Sequence, residues 1–219
     1  MSRTRTVFIT GGSGYLGRRL IPRLAEAGHE IRALTRQASA HKIPPGCQVV
    51  LGDALNKDSF AHHIKPAETF VQLVGVAHPS PAKVKEFRAI DLVSVHASIA
   101  AAAESGIEHF IYVSVAQPAP IMKEYQAVRT EGEATLRSSG MKATILRPWY
   151  ILGPGHWWPC LLWPAYWICE RWPSTREAAR RLGLVTLRQM IEALVDAVDH
   201  PPDGIRIVEV PQIRRAVQL

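Results

Sequence analysis

The residues of this 219-residue chain best placed to do chemistry stand at its start, where Val7-Phe8-Ile9 runs into Thr10-Gly11-Gly12-Ser13-Gly14-Tyr15-Leu16-Gly17. An apolar strand, a glycine loop and an amphipathic helix in that order make a device for holding linked phosphates. Gly11 allows the sharp turn, Gly14 lets backbone approach phosphate with no Cβ in the way, and Gly17 permits close packing of helix on strand. The helix start adds free N–H groups and a partial positive charge. Glycines also serve ordinary turns, so the spacing alone is weak. Its place between strand and helix makes the whole run, including Gly12, Ser13, Tyr15 and Leu16, a cradle for a dinucleotide pyrophosphate.

Two further positions bear on which dinucleotide. The second strand ends in Thr35-Arg36, where a dinucleotide-binding fold meets the adenosine ribose. An acidic residue there accepts from both ribose hydroxyls, whereas Arg36 offers a planar fork to a 2′-phosphate. The cofactor expected is therefore NADP, with NAD the alternative if Arg36 only closes a strand in solvent. Arg18 or Arg19 could reach the same phosphate from the first helical turn. After the third strand comes Asp53-Ala54. Asp53 either accepts from the adenine amino group or caps the helix that follows.

The elements that must carry these residues alternate. A helix through Leu20, Ile21 and Leu24 closes at Gly28, and strands are predicted over Glu30 to Thr35, Gln48 to Leu51 and Thr69 to Val74. The last two are nearly unbroken apolar runs, as parallel strands covered on both faces require. A long helix from about Lys83 to Ser105 leads to a strand at Phe110 to Val113; a helix over Lys123 to Ser139 leads to a strand at Lys142 to Leu146. This alternation predicts an α/β fold, a doubly wound parallel sheet with right-handed crossovers and ligands at the carboxyl ends of its strands. Thr186 with Gln189 reads as a capping box opening a helix to His200, and Gly204 to Val210 as a last strand. Residues 1–155 form the dinucleotide-binding domain and residues 156–219 a small Trp-rich extension packed on it.

Apolar residues at 47% and charged residues at 21% fit one substantial core. Met1 to Thr6 lacks the order of an export signal, which predicts a cytoplasmic protein. Cys47, Cys160 and Cys169 show neither disulfide nor zinc spacing. The net charge of +7 favours anionic partners but comes from scattered arginines rather than a basic run, so direct nucleic-acid binding rests on charge alone. Association into an oligomer is compatible with this composition.

Taken together, several short motifs in order resemble the short-chain dehydrogenase/reductase superfamily, in its atypical and extended branch of epimerase/dehydratase-like and NmrA-like proteins. They are the glycine loop, Leu51-Gly52-Asp53, Val74-Gly75-Val76-Ala77, Tyr112-Val113-Ser114, Tyr125 with Arg129, and Leu146-Arg147-Pro148-Trp149-Tyr150 through Gly155. The resemblance implies that Val74, Gly75, Val76 and Pro148 line the cofactor site. In active members a tyrosine exchanges a proton with a carbonyl or alcohol, a lysine four residues later binds the nicotinamide ribose and makes the tyrosine useful near neutrality, and a serine or threonine orients the substrate. Here Tyr125 and Arg129 share a helix face, with arginine in the lysine position. Val115 occupies the usual hydroxyl position, and Ser114 beside it should point to the other side of the strand unless a loop adjustment brings it back, so the catalytic candidates are Tyr125, Arg129 and Ser114. The implied functions are an NADP-dependent oxidoreductase for a small or hydrophobic carbonyl or alcohol, or a dinucleotide-binding sensor, regulator or assembly subunit without turnover. The chain is too short for the larger region that shapes a sugar-nucleotide pocket, which argues against a nucleotide-sugar epimerase.

All six tryptophans lie between Trp149 and Trp172, and Trp157 to Cys169 is apolar throughout. Two prolines and a length below the roughly 20 residues of a spanning helix predict no membrane crossing. The segment reads as a lid with its aromatics in the core, as the wall of a pocket for a greasy ligand, or as a partner or membrane-interface patch rimmed by arginines. His156 and His78 are loop histidines that could meet a substrate.

Overall fold

The apolar runs pair as neighbours in a sheet whose order is β3-β2-β1-β4-β5-β6-β9 in a computed structural model describing residues 3–77, 79–155 and 163–216. For residues 163–165 only the backbone is described. The strands are β1 (Thr6–Thr10), β2 (Glu30–Thr35), β3 (Gln48–Leu51), β4 (Thr69–Gln72), β5 (His109–Val113), β6 (Lys142–Arg147) and β9 (Ile205–Glu209), and every adjacent pair is parallel. Chain order reverses between β1 and β4, which opens the crevice at their carboxyl ends where a doubly wound sheet binds ligands.

Helices cover both faces because alternate residues of each strand point to opposite sides. Val7 and Ile9 of β1 pack with Leu20, Ile21 and Leu24 of α1 (Gly17–Glu26) and with Leu194 and Val198 of α7 (Leu187–Asp199). Phe8 faces the other way and stands in register with Phe70 and Phe110. Their rings are 5.3 and 5.1 Å apart, a fully buried aromatic row across β1, β4 and β5. Each such ring contributes about 1.5–3 kcal/mol by leaving water. Gly28, Gly106 and Gly140 follow α1, α3 (Val93–Glu104) and α4 (Lys123–Ser138) with positive φ, the stops their positions predict.

Three features differ from the sequence reading. β3 is not covered on both faces: it is the sheet's edge strand, and only Val50 of its four residues is buried. The long helix leading to β5 is interrupted, with the short α2 (Val84–Glu86) followed by a wider π turn over Phe87–Leu92 before α3. A second sheet pairs β7 (Tyr150–Leu152) with β8 (Leu184–Thr186), flanking α5 (Trp163–Arg171) and α6 (Arg176–Arg181). α7 opens on the Thr186–Gln189 capping box, and α8 (Val210–Arg215) ends the described chain's secondary structure.

His109, at the start of β5, is buried and shares a 2.9 Å hydrogen bond with Thr144. Burial, reinforced by Arg206 and Arg5, pushes its pKa down from 6.5 to about 3. The unfolded chain therefore takes up this proton first, and stability falls as pH drops from 6.5 toward 3. Urea unfolding at stepped pH should show a loss of roughly 1 kcal/mol per pH unit in that window. His109→Gln should flatten the slope; an unchanged slope would assign it to other groups.

Candidate cofactor and proton-transfer site

The glycine loop leaves β1 and packs on itself too closely for side chains at two of its positions. Gly11 has φ +74, and a Cβ there would lie 2.9 Å from the Leu73 carbonyl carbon at the end of β4. A Cβ on Gly17 would stand 2.4 Å from the Gly11 oxygen and 2.6 Å from the Gly12 Cα, so α1 begins directly against the loop. The Gly14 N–H donates to the Gly11 oxygen at 2.9 Å, while Gly14 itself is exposed. A Cβ on Gly14 would meet only that oxygen, which leaves its outer side open to a phosphate. α1 has no side-chain cap and no acidic residue in its first turn, as an anion-binding helix start needs. Ser13, Tyr15 and Leu16 are half-buried, Gly12 is buried, and the Tyr15 hydroxyl lies where a Cβ on Gly153 would be 2.3 Å away.

The register Thr35↔Leu51 brings the ends of β2 and β3 together, and the Gly52 N–H donates to the Thr35 oxygen at 3.1 Å. Arg36 projects from this corner exposed, with no side-chain hydrogen bond or ion pair among the described residues. Arg18 is likewise exposed. Arg19 is committed elsewhere, its guanidinium 4.3 Å from the Tyr15 ring centre and donating to the Tyr15 oxygen. Asp53 accepts from the Leu55 N–H at 3.0 Å, whereas the helical turn Lys57–Ser59 is capped by Asn56. Capping is thus not the work of Asp53. Ala54 packs half-buried on the core.

At the end of β4, Val74 is half-buried, Gly75 exposed and Val76 buried in a small cluster with Phe87, Val128 and Tyr125. Tyr125 is half-buried on α4, its ring 5.0 Å from Phe87. The Arg129 guanidinium lies 5.1 Å from the Tyr125 ring and 5.7 Å from the Tyr112 ring. Arg129 is buried and forms an ion pair with the wholly buried Asp91 of the π turn. It also donates to the Val113 oxygen at 3.0 Å and to the Tyr112 hydroxyl at 3.5 Å. The other Asp91 oxygen accepts from the Val76 N–H at 2.9 Å. Burial pushes the Asp91 carboxyl up against the opposing pull of Arg129 and the Val76 N–H. Burial also works against the Arg129 charge, but Tyr125, Tyr112 and Asp91 outweigh it and raise its pKa, so the guanidinium stays charged. Gly75 leaves room for it: a Cβ there would stand 2.5 Å from Arg129 Nη2.

Behind this pair runs a buried polar row that sequence reasoning missed. Thr10 Oγ1 donates to Gln72 Oε1, Gln72 Nε2 donates to Ser94 Oγ at 3.1 Å, and Ser94 Oγ donates to the Asp91 carbonyl at 3.0 Å. Glycine loop, β4, α3 and the Arg129 pair are thereby joined by satisfied hydrogen bonds in a low-dielectric interior.

Ser114 is not part of this group. Its hydroxyl donates to Glu133 Oε1 at 2.7 Å, and the same buried carboxylate accepts from Gln117 at 3.1 Å and from Arg147 Nε at 2.9 Å. The Glu133 hydrogen bond raises the Arg147 pKa. Val115 is buried, and the Pro148 carbonyl accepts from the Ala116 N–H at 2.9 Å, pinning that residue beside β5. Tyr125 and Arg129 come together as a helix face predicts; Ser114 is held in a separate structural cluster. His78, His156, Trp157, Trp158 and Cys160 lie outside the described residues.

This arrangement has counterparts. Residues 11–154 match the NAD(P)H-binding family. The chain belongs to the atypical short-chain dehydrogenase/reductases. A nicotinamide dinucleotide is the coenzyme of the matched family. It is 30% identical over 151 residues to a ceramide reductase of Caulobacter vibrioides, a match covering 68% of this chain and 47% of that protein. To the photosystem II assembly factor Ycf39 of Cyanophora paradoxa it is 27% identical over 153 residues, covering 65% and 44%. The chain thus spans about half the length of these curated relatives. The Bordetella bronchiseptica enzyme WbmH, solved with NAD+, has the same fold, with TM-score 0.69, 18% identity, and coverage of 98% of this chain and 80% of that one. Among the described residues no helix is long and apolar enough to cross a membrane.

Proposed function

We propose that this short-chain dehydrogenase/reductase is an NADP-dependent oxidoreductase acting on a hydrophobic carbonyl compound or alcohol, with Tyr125 as its proton-transferring residue. The observation that carries the reading is the half-buried Tyr125 ring beside Val76, 5.1 Å from a guanidinium that Asp91 and the Val113 carbonyl hold in place. That guanidinium, one helical turn on and against the same ring, stands where active members of the superfamily carry a lysine. The nicotinamide ring supplies or accepts the hydride when bound. Gly11 to Gly17 hold the pyrophosphate, Asp53 meets the adenine amino group, and Arg36 meets the 2′-phosphate. Val74, Gly75, Val76 and Pro148 line the nicotinamide end. Ser114, whose hydroxyl donates to Glu133, has no role in this proposal. The ceramide reductase relative supports a greasy substrate.

Arg36 has a direct test. Arg36→Ala should weaken NADPH binding about 10- to 100-fold, the worth of one or two charge-assisted hydrogen bonds, and leave NADH binding unchanged. Equal weakening of both, or of neither, would remove Arg36 from cofactor selection. A second reading, a coenzyme-binding assembly or regulatory protein without turnover, draws on the sequestered Ser114 and the assembly-factor relative. Steady oxidation of NADPH with long-chain ketones or quinones supports the enzyme, and its absence across such a panel supports the binder.

A further inference from the structure

We propose that the outward face of α5 and the turn after it docks this protein on an anionic lipid surface. The face is set by helical spacing. Trp167 and Arg171 are four residues apart, as are Ile168 and Trp172, and the two pairs lie side by side on one stripe. The Trp172 N–H donates to the Ile168 oxygen at 3.2 Å, which extends that stripe one residue beyond the helix. The opposite stripe faces the protein: Tyr166 and Glu170 are half-buried, and Glu170 pairs with Arg214 of α8 at 3.0 Å. Arg214 also donates to the Leu184 carbonyl at 2.9 Å, tying α5 to the β7-β8 sheet. The helix is therefore fixed with one apolar face turned out.

That face is not what water selects. Trp167 and Ile168 are each 56% exposed and Trp172 66% exposed, so the lid reading, with the aromatics in the core, does not hold for these two tryptophans. Contiguous large apolar groups at a surface mark an interaction site, and tryptophan favours the boundary between headgroups and acyl chains. The rim supplies the charge. The Arg171 guanidinium lies 3.6 Å from the Trp167 ring centre, and neither it nor exposed Arg180 pairs with a carboxylate among the described residues. Along this stretch exposed Arg171, Arg176 and Arg180 outnumber exposed Glu177, and Glu170 is already paired. A second copy on this face would double its exposed arginines and add only Glu177 as an acid unpaired among the described residues. Lipid phosphates neutralise them. α5 is nine residues long, enough to lie in the interface and too short to span it.

The test is flotation of the full chain with vesicles of phosphatidylcholine alone or mixed with phosphatidylglycerol, at low and high salt. The expected result is retention on the mixed vesicles at low salt, weakened by salt and by removal of phosphatidylglycerol. Arg171→Gln with Arg180→Gln should weaken retention about fivefold per arginine. Trp167→Ala with Trp172→Ala should weaken it tenfold or more, on the order expected for losing two large interfacial side chains. All four residues are exposed, so the variants should keep wild-type circular dichroism and coenzyme affinity. No retention of folded protein, or retention untouched by either double variant, would overturn the proposal. So would a lipid-free dimer that the tryptophan variants disperse, which would give the face to a second copy.

Discussion

Asp91→Ala should lower the stability of this fold by about 3–5 kcal/mol, because it leaves a buried guanidinium without its counter-charge. In the wild type Arg129 has three kinds of partner, the Asp91 carboxylate, the Val113 carbonyl at 3.0 Å and the Tyr112 hydroxyl at 3.5 Å. Only the first carries a full opposite charge. Its loss also orphans the Val76 N–H, which gives its proton to the second Asp91 oxygen. In urea unfolding, Asp91→Ala should therefore shift the midpoint far more than Asp91→Asn, which keeps acceptor and shape. Adding Arg129→Met to Asp91→Ala should recover most of the loss, since an apolar side chain of similar length needs no partner there. A change below about 1 kcal/mol for Asp91→Ala would contradict the pairing and free Arg129 to act elsewhere.

The second large effect belongs to catalysis. Tyr125→Phe removes one hydroxyl and keeps the ring against Phe87, 5.0 Å away, and beside the guanidinium. Coenzyme affinity should be unchanged, while turnover of whichever carbonyl substrate the panel identifies should fall about 10²- to 10⁴-fold, the usual worth of a positioned general acid. A variant that turns over at the wild-type rate would remove Tyr125 from the chemistry. One that loses coenzyme affinity as well would make it a packing residue of the binding site.

The parts of this site legible in the sequence are those set by local spacing. Strand, glycine loop and helix are contiguous, so Gly11 and Gly17 could be assigned a purpose before any fold was in view. Tyr125 and Arg129 are four residues apart, and a helix alone brings them together. What could not be read depends on the sheet's crossovers. Asp91 meets Arg129 from 38 positions away, and Gln72 reaches Thr10 from 62 positions away, because β4 returns beside β1. One signal was available: an acidic residue within an otherwise apolar helix pattern, Ala89-Ile90-Asp91-Leu92-Val93, asks for a buried counter-charge. Ser114 stood among the catalytic candidates, and its partner Glu133, on the following helix, could not be read from local spacing. β3 was misread as covered because an apolar run does not tell an edge strand from a central one; Val49 and Leu51 remain 44% and 48% exposed. The parallel pairing of β7 with β8 was equally hidden, since the two short strands are separated by the whole Trp-rich stretch.

The account rests on the loop between β1 and α1 clasping the pyrophosphate of a nicotinamide coenzyme, and calorimetric titration tests that most directly. Wild-type protein should bind NADPH or NADP+ at one site per chain. Gly14→Ala should weaken that binding about tenfold or more while keeping a native circular dichroism spectrum, because a Cβ at this exposed position meets only the Gly11 oxygen within the fold, at 3.1 Å, and otherwise stands where backbone must approach a phosphate. Well-folded wild-type protein that binds neither NADP(H) nor NAD(H), or a Gly14→Ala variant that binds them as the wild type does, would contradict it.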